Sequence, residues 1–340
     1  MSPSLDVFNT DAFSFTTLTA AINKRPFIPG RIGALGLFDA KGIPTVTLYV
    51  EEKSGVISLV QTSPRGAPGA PSPVQVRTAR SFRVPHLQRN DSVVADQVQG
   101  VRAFGSETEL ETVQNVVNDK MGSMQDDILV TQEFHRIGAV QGLVLDADGS
   151  TLFNLFTEFG VSQQTQDIAF TTATTDVNGK IVAAKRLSED ELGGAVIRGF
   201  RAFCGKNWFD ALVSHETVKR AFDTQQGLHL GQDLRYVGFT WGGVTFEEYR
   251  GAVAPLAGGA ARKFVDDDQA WLVPDVSPSI FATRFSPADY EETVNTIGLP
   301  FYAKQAADPS GFNKYRALEV QSNPISLCLR PRAVIKLTKS

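Results

Sequence analysis

The run LVLDADGST, residues 143–151, holds the arrangement in this chain most able to do chemistry. A carboxylate at the mouth of an apolar strand can attack an electrophile, and a second carboxylate two residues on can protonate the leaving group, which would make Asp146 the nucleophile and Asp148 the acid. Asp266, Asp267 and Asp268 supply the oxygen ligands that hard divalent cations take. Three adjacent side chains point in different directions, however, and no second ligand group accompanies them. His86, His135, His215 and His229 show no paired-ligand spacing and match no Ser or Cys nucleophile. Gly242-Gly243 and Gly258-Gly259 lack the strand-to-helix setting and the lysine of a phosphate loop. Cys204 and Cys328 lie far apart among apolar or aromatic neighbours and read as buried free thiols. No metal and no cofactor is expected.

The first of these patterns is similar to the nucleophile motif of the haloacid dehalogenases. That motif needs its strand to feed a helix, whereas a second strand-like run, TLFNLF, follows here at once. Asp and Gly are also what a short hairpin turn requires. A structural turn is therefore expected, and the chain is expected not to be an enzyme. The phosphatase alternative predicts magnesium-dependent hydrolysis lost on Asp146→Asn.

The elements that would have to position such groups say more than the groups do. The chain has 340 residues, 42% hydrophobic and 21% charged, which is enough to bury a large core and fill two domains. A net charge of -4 argues against a surface that grips phosphate throughout, so any nucleic-acid contact is weak or local. No basic leader opens the sequence, and no uncharged apolar stretch nears the ~20 residues of a bilayer span. Export and membrane insertion are not expected.

Residues 1–38 read as an arm, with one short helix over 16–24, that must lie on something else. Strand-like alternation over 45–60 and 74–84 brackets TSPRGAPGAPSP, a proline- and glycine-rich tip. Lys53-Ser54-Gly55 leaves open a smaller inner hairpin. A two-stranded ribbon is marginal in water, so it needs a surface to rest on. From Ser106 to about Gln141, a capping signature (Ser106, Glu109) opens an apolar stripe of Leu110, Val113, Val117, Met121, Met124 and Ile128. This is one long helix of about 54 Å, or two helices meeting near Gly122. The remainder mixes helices (176–192, 207–222) with short strands (235–241, 270–276). The tail, KYRALEVQSNPISLCLRPRAVIKL, returns to strands with a turn at Ser322-Asn323-Pro324. The fold class is α+β.

Charge is segregated between two of these elements. Ser54 to Asn90 holds Arg65, Arg77, Arg80, Arg83 and Arg89 with no acid, whereas 106–128 holds Glu107, Glu109, Glu111, Asp119, Asp126 and Asp127 against one lysine. Contact within one chain would satisfy both, and acids in a first turn also suit the helix dipole. Arginine is equally suited to planar ion pairs between subunits. Arg65, Arg77, Arg80, Arg83, Arg89, Glu107, Glu109, Glu111, Asp126 and Asp127 are accordingly the candidate intersubunit residues.

PGRIGALGLF (29–38), RTARSFRVPHL (77–87), EFHRIGAVQGLVLDADGS (133–150) and SNPISLCLRPRAVIKL (322–337), in this order and spacing, resemble the major capsid proteins of tailed double-stranded DNA phages, specifically the lambda head protein E family. The resemblance spans nearly the whole chain. It implies the Hong Kong 97-like capsid fold: an N-terminal arm (1–38), an extended β-hairpin loop (39–90), a peripheral domain with a spine helix (91–160), an axial domain (161–300) and closing strands of the peripheral domain (301–340). It further implies hexamers and pentamers that close an icosahedral head around weakly contacted DNA, as part of the virion, assembled in the host cytoplasm. No lysine stands between 54 and 119, so the isopeptide weld of some relatives is not available to this loop. Scaffolding, portal and cement or decoration proteins are expected as separate partners, with no membrane. A bacterial compartment shell of the same fold is the alternative.

Overall fold

The computed structural model describes residues 13–24, 30–53, 77–94, 97, 109–224, 238–255 and 258–340. Its largest sheet has six strands, in the order Gln164–Asp167, Ile335–Thr338, Gln269–Ser277, Val196–Cys204, Val244–Glu248 and Phe239–Trp241. The two central strands are long and apolar because both of their faces are covered. Ala202, Ala270 and Leu272 pack with Ile181, Trp208 and Leu212 of the helices Val177–Leu192 and Lys206–Ser214. The alternate residues Phe203, Trp271 and Val273 join a second cluster with Ile137 and Val140. Period-two alternation thus feeds two cores from one sheet.

Ile137 and Val140 belong to a single helix, Glu109–Gln141, which runs unbroken through Gly122 for about 50 Å. Of the two readings left open by the sequence, the continuous one holds. The physical reason is that each half of the helix has its own core. Val117, Met121, Met124 and Ile128 pack with Leu18, Ile22, Phe301, Leu318 and Val320 in a third cluster, while the other end enters the core beneath the six-stranded sheet. Burial at both ends outweighs the ~1 kcal/mol that a helical glycine costs.

Among the described residues two three-stranded sheets and three two-stranded pairs accompany the six-stranded sheet. Tyr302–Ala307, Tyr315–Ser322 and Leu87–Val94 form one three-stranded sheet, and Phe38–Gly42, Phe281–Phe285 and Pro324–Cys328 the other. The turn expected at Ser322-Asn323-Pro324 is instead a corner, since the strands on either side of Asn323 belong to different sheets. Buried polar groups hold it. The Ser322 hydroxyl donates to Pro300 O (2.6 Å) and accepts from Gln132 Nε2 (3.0 Å), and Asn323 Nδ2 donates to Pro287 O (2.7 Å).

Three further placements differ from the sequence reading. Ile335–Thr338, grouped there with the strands before it, hydrogen-bonds into the six-stranded sheet between Gln164–Asp167 and Gln269–Ser277. Strand Leu87–Val94 crosses residue 90, where a boundary was drawn, and pairs along its length with Tyr315–Ser322. The helix read over 207–222 is two, Lys206–Ser214 and Glu216–Thr224. They break at His215, whose ring engages Thr217 Oγ1 (2.7 Å) and Thr172 O (3.2 Å) with its backbone extended.

Candidate functional site

Thr47–Lys53 and Arg77–Arg83 pair antiparallel as a two-stranded ribbon, from Thr47 opposite Arg83 to Lys53 opposite Arg77. The tip, with Arg65, and the possible inner hairpin at 53–55 fall on or beyond the edge of the described residues. Residues directly opposite share a face, so Leu48, Val50, Arg80 and Phe82 form one side. That side is packed. Phe82 is buried against Phe153 and Phe159, and the Arg80 guanidinium lies 5.1 Å from the Phe159 ring centre and 3.4 Å from Phe159 O. Thr47, Tyr49, Ala79, Ser81 and Arg83 form the other side, where Tyr49 is 66% exposed and Arg83 is exposed. The ribbon is satisfied on one face only.

The expected acidic partners divide in the same way. Arg89, on the strand that follows the ribbon, reaches Asp127 of the long helix in its own chain, Nη2 to Oδ2 2.9 Å. Lys120 reinforces this contact by reaching Asp91 (3.2 Å) and Ser92 O (2.6 Å). Asp126 sits half-buried beside Asp127. Glu109 and Glu111 stand in the helix's first turn, and Glu107 lies outside the described residues.

A second cluster of charge was not foreseen. Glu133 of the long helix is 3% exposed. Its carboxylate accepts from Ile32 N (2.6 Å), Gly33 N (3.1 Å) and the Tyr249 hydroxyl (2.8 Å), with Arg136 Nη1 at 3.6 Å. Burial first, and then the carboxylate, drive the Tyr249 phenol far above its ordinary range. Gly30 is required here by space, because a methyl group on it would overlap the Glu133 side chain. Close by, Glu247 is shared between Arg31 (2.7 Å) and Arg201. The two acids fasten segment 30–36 to the long helix and to the six-stranded sheet. A sequence signal exists: Glu133 and Arg136 carry charge where the helix's apolar stripe continues.

The residues that suggested catalysis have structural partners. Leu143–Leu145 and Thr151–Asn154 form an antiparallel hairpin. Asp146 Oδ1 accepts from Ala147 N (2.7 Å) and Asp148 Oδ1 from Ser150 N (2.7 Å), and Gly149 takes the positive φ of the turn. Arg262 donates to the carbonyls of Ala147 (2.9 Å) and Asp148 (2.5 Å). Asp267 pairs with Lys263 (2.5 Å), and Asp268 with Lys339 (2.7 Å) and Asn207 (3.0 Å). Among the described residues no group of His, Cys, Asp or Glu is placed to hold a metal. His86 lies against Gln321 and Asn323, His135 is buried on the long helix, and His229 lies outside the described residues. Cys204 and Cys328 are buried, and burial raises both thiols, Cys328 to about 12.

One further surface stands out near the root of the ribbon. Val294, Ile297 and Leu299 are 67%, 68% and 43% exposed, and Val46 is 67% exposed. Their loop is not loose: Gly298 N donates to Ile43 O (3.0 Å), Leu299 N to the Tyr302 hydroxyl (2.8 Å) and Thr296 N to Thr293 O (3.2 Å). Their backbone is hydrogen-bonded in place while these aliphatic side chains face water.

Comparison with known proteins agrees with this architecture. The family model described as phage major capsid protein E matches residues 14–339. The major capsid protein of Pseudomonas phage KPP10 is 29% identical over 95% of this chain and 96% of its own length. That of Salmonella phage Felix O1 is 25% identical, covering 95% of each. Among solved structures, one described as a prophage capsid protein from E. coli CFT073 superimposes with a TM-score of 0.61 at 12% identity, over 96% of this chain and 99% of that one. A phage-related protein from Bordetella bronchiseptica RB50 gives 0.50 at 10% identity, over 96% and 97%.

Proposed function

This chain belongs to the phage major capsid protein E family, and from that premise we propose how it builds a shell. Its fold is the α+β Hong Kong 97-like capsid fold, and it is the major capsid protein of a phage, a structural component of the virion that self-assembles. In the proposed mechanism the chain forms hexamers and pentamers that close an icosahedral head around double-stranded DNA. The ribbon reaches across to an adjoining copy, and the outward face carrying Tyr49 and Arg83 makes the contact. Heterologous contacts of this kind close rings when the rotation per subunit allows it. The rigid apolar loop at 294–299 adds a second contact.

The observation that carries this reading is the ribbon's division into one packed and one uncovered face. A two-stranded ribbon gains independent stability only when covered, and its own body covers half. Further proposed roles follow the resemblance: Arg77 and Arg65 extend the contact toward the tip, Glu107, Glu109 and Glu111 offer acids to a neighbour, and separate scaffolding, portal and cement proteins assist assembly in the host cytoplasm. A net charge of -4 suits a wall that encloses DNA without gripping it. The test is negative-stain microscopy of the purified chain, with closed particles as the expected result. A permanently monomeric species under all assembly conditions overturns the proposal.

A further inference from the structure

Between the long helix, segment 32–40 and the stretch around 283–301 lies a cavity of about 350 Å³. Ile32, Phe38, Phe285 and Phe301 give it apolar walls, and Arg136 enters it as the charged group. Arg136 is 8% exposed. Its Nη1 faces Glu133 Oε2 at 3.6 Å, a loose contact, since that carboxylate is already met by two backbone N–H groups and a phenol. Arg136 Nε is buried and has no hydrogen-bond partner.

A buried guanidinium is stable only when its donors are met. The contact through Nη1 leaves the Nε side of the planar fork unspent, and an edge of that fork fits a carboxylate through two parallel N–H groups. Glu133 has its own donors in segment 32–33 and in Tyr249, so a guest on the Nε side does not have to strip the carboxylate of its hydrogen bonds. A cavity of this size falls in the ~300–1,000 Å³ range of small-ligand sites, which pair apolar walls with a few placed polar groups. Burial also pulls the Arg136 guanidinium below its ordinary pKa, the direction expected of a cation short of partners.

We propose that this cavity is a carboxylate-binding site in which the Nε edge of Arg136 takes the carboxylate and Phe38, Phe285 and Phe301 take a short apolar body. The carboxylate comes from a small organic acid or from an Asp or Glu of a second copy. The site does not rest on the ribbon contact proposed above.

The first experiment titrates dissociated, folded chain with butyrate at pH 7 and constant ionic strength, following the thermal midpoint and the heat of binding. Saturable binding with a rising midpoint is expected, with butyramide at least tenfold weaker. Arg136→Lys, which keeps the charge and loses the fork, should weaken butyrate at least tenfold. Ala40→Leu adds bulk at an exposed lining position of the cavity and should weaken binding while the chain stays folded, so that failure of the Arg136 variant to fold leaves the test intact. Equal response to butyrate and butyramide, or no saturation, overturns the site. The second experiment is cryo-electron microscopy of assembled particles with and without butyrate. An acidic side chain of a second copy on Arg136, with butyrate excluded, identifies the neighbour as the source. Butyrate bound in particles and in free chain alike identifies the free acid, and water alone in both overturns the proposal.

Discussion

Glu133 and Asp127 stand on the same helix, less than two turns apart, and use their charge in opposite ways. Glu133 is sealed from water and meets donors from two other segments. Asp127 is about a third exposed, as is the one arginine it meets. The difference teaches what each charge is for. Inside, a carboxylate fixes the path of the chain, because leaving its partners unpaired is costly; at the surface, a pair adds little stability and its charge remains available to a neighbour.

The largest effect is expected at the sealed site. Glu133→Ala strips two backbone N–H groups, the Tyr249 hydroxyl and Arg136 of their shared acceptor, and should cost about 3–5 kcal/mol, read from urea unfolding of the dissociated chain. A loss no larger than that of Asp127→Ala would break the comparison.

His135, two residues from Glu133, tests burial through pH. Its ring is 3% exposed with Nε2 unpartnered, and burial lowers its pKa to about 4, against a smaller opposing pull from Asp146. Unfolded, it titrates near ~6.5. Above that value neither state is protonated, and stability from this residue is complete. As pH falls from about 6.5 to about 4 only the unfolded chain takes the proton, so about 3 kcal/mol is lost over that window. Between pH 7 and pH 4 the wild-type unfolding midpoint should fall relative to that of His135→Leu, which lacks this titration. Parallel curves would mean the ring reaches water in the folded protein.

How far the sequence disclosed this arrangement depends on whether its residues lie together in the chain. The long helix, the Asp-Ala-Asp-Gly hairpin and the apolar strand around 270–276 were legible, since local periodicity and turn chemistry suffice for each. Strand Leu87–Val94 was not. It alternates too little apolar surface, with only Val93 fully buried, and owes its form to pairing with Tyr315–Ser322 more than 200 residues away. The Glu133 cluster assembles residues from 31–33, 133–136 and 247–249, and no local pattern announces a contact among them. The corner at Asn323 was read as a turn because Ser-Asn-Pro serves both; only the two sheets tell them apart.

At the surface the expected energies shrink. Arg89→Ala, Asp127→Ala and the double variant should return a coupling of about 0.2–1 kcal/mol, because both groups are roughly a third exposed. A coupling several times larger would place the pair among the sealed charges and tie strand Leu87–Val94 firmly to the helix.

The smallest effect on the folded chain is expected from the ribbon's outer face, and it is the one that matters most for assembly. Arg80 points inward over Phe159, so Arg80→Glu should cost about 1 kcal/mol of subunit stability through the lost cation–π contact. Arg83, on the opposite face and exposed, should change stability by no more than about 0.5 kcal/mol when reversed to Glu. If the outer face is the one a neighbour covers, Arg83→Glu gives a chain that unfolds like wild type yet fails to close particles by negative-stain microscopy. Two neighbouring arginines on one strand would then separate folding from assembly, by facing opposite sides of the same ribbon. Normal particles from Arg83→Glu would assign that face to solvent and move the contact to the aliphatic loop at 294–299, where Ile297→Asp becomes the deciding variant.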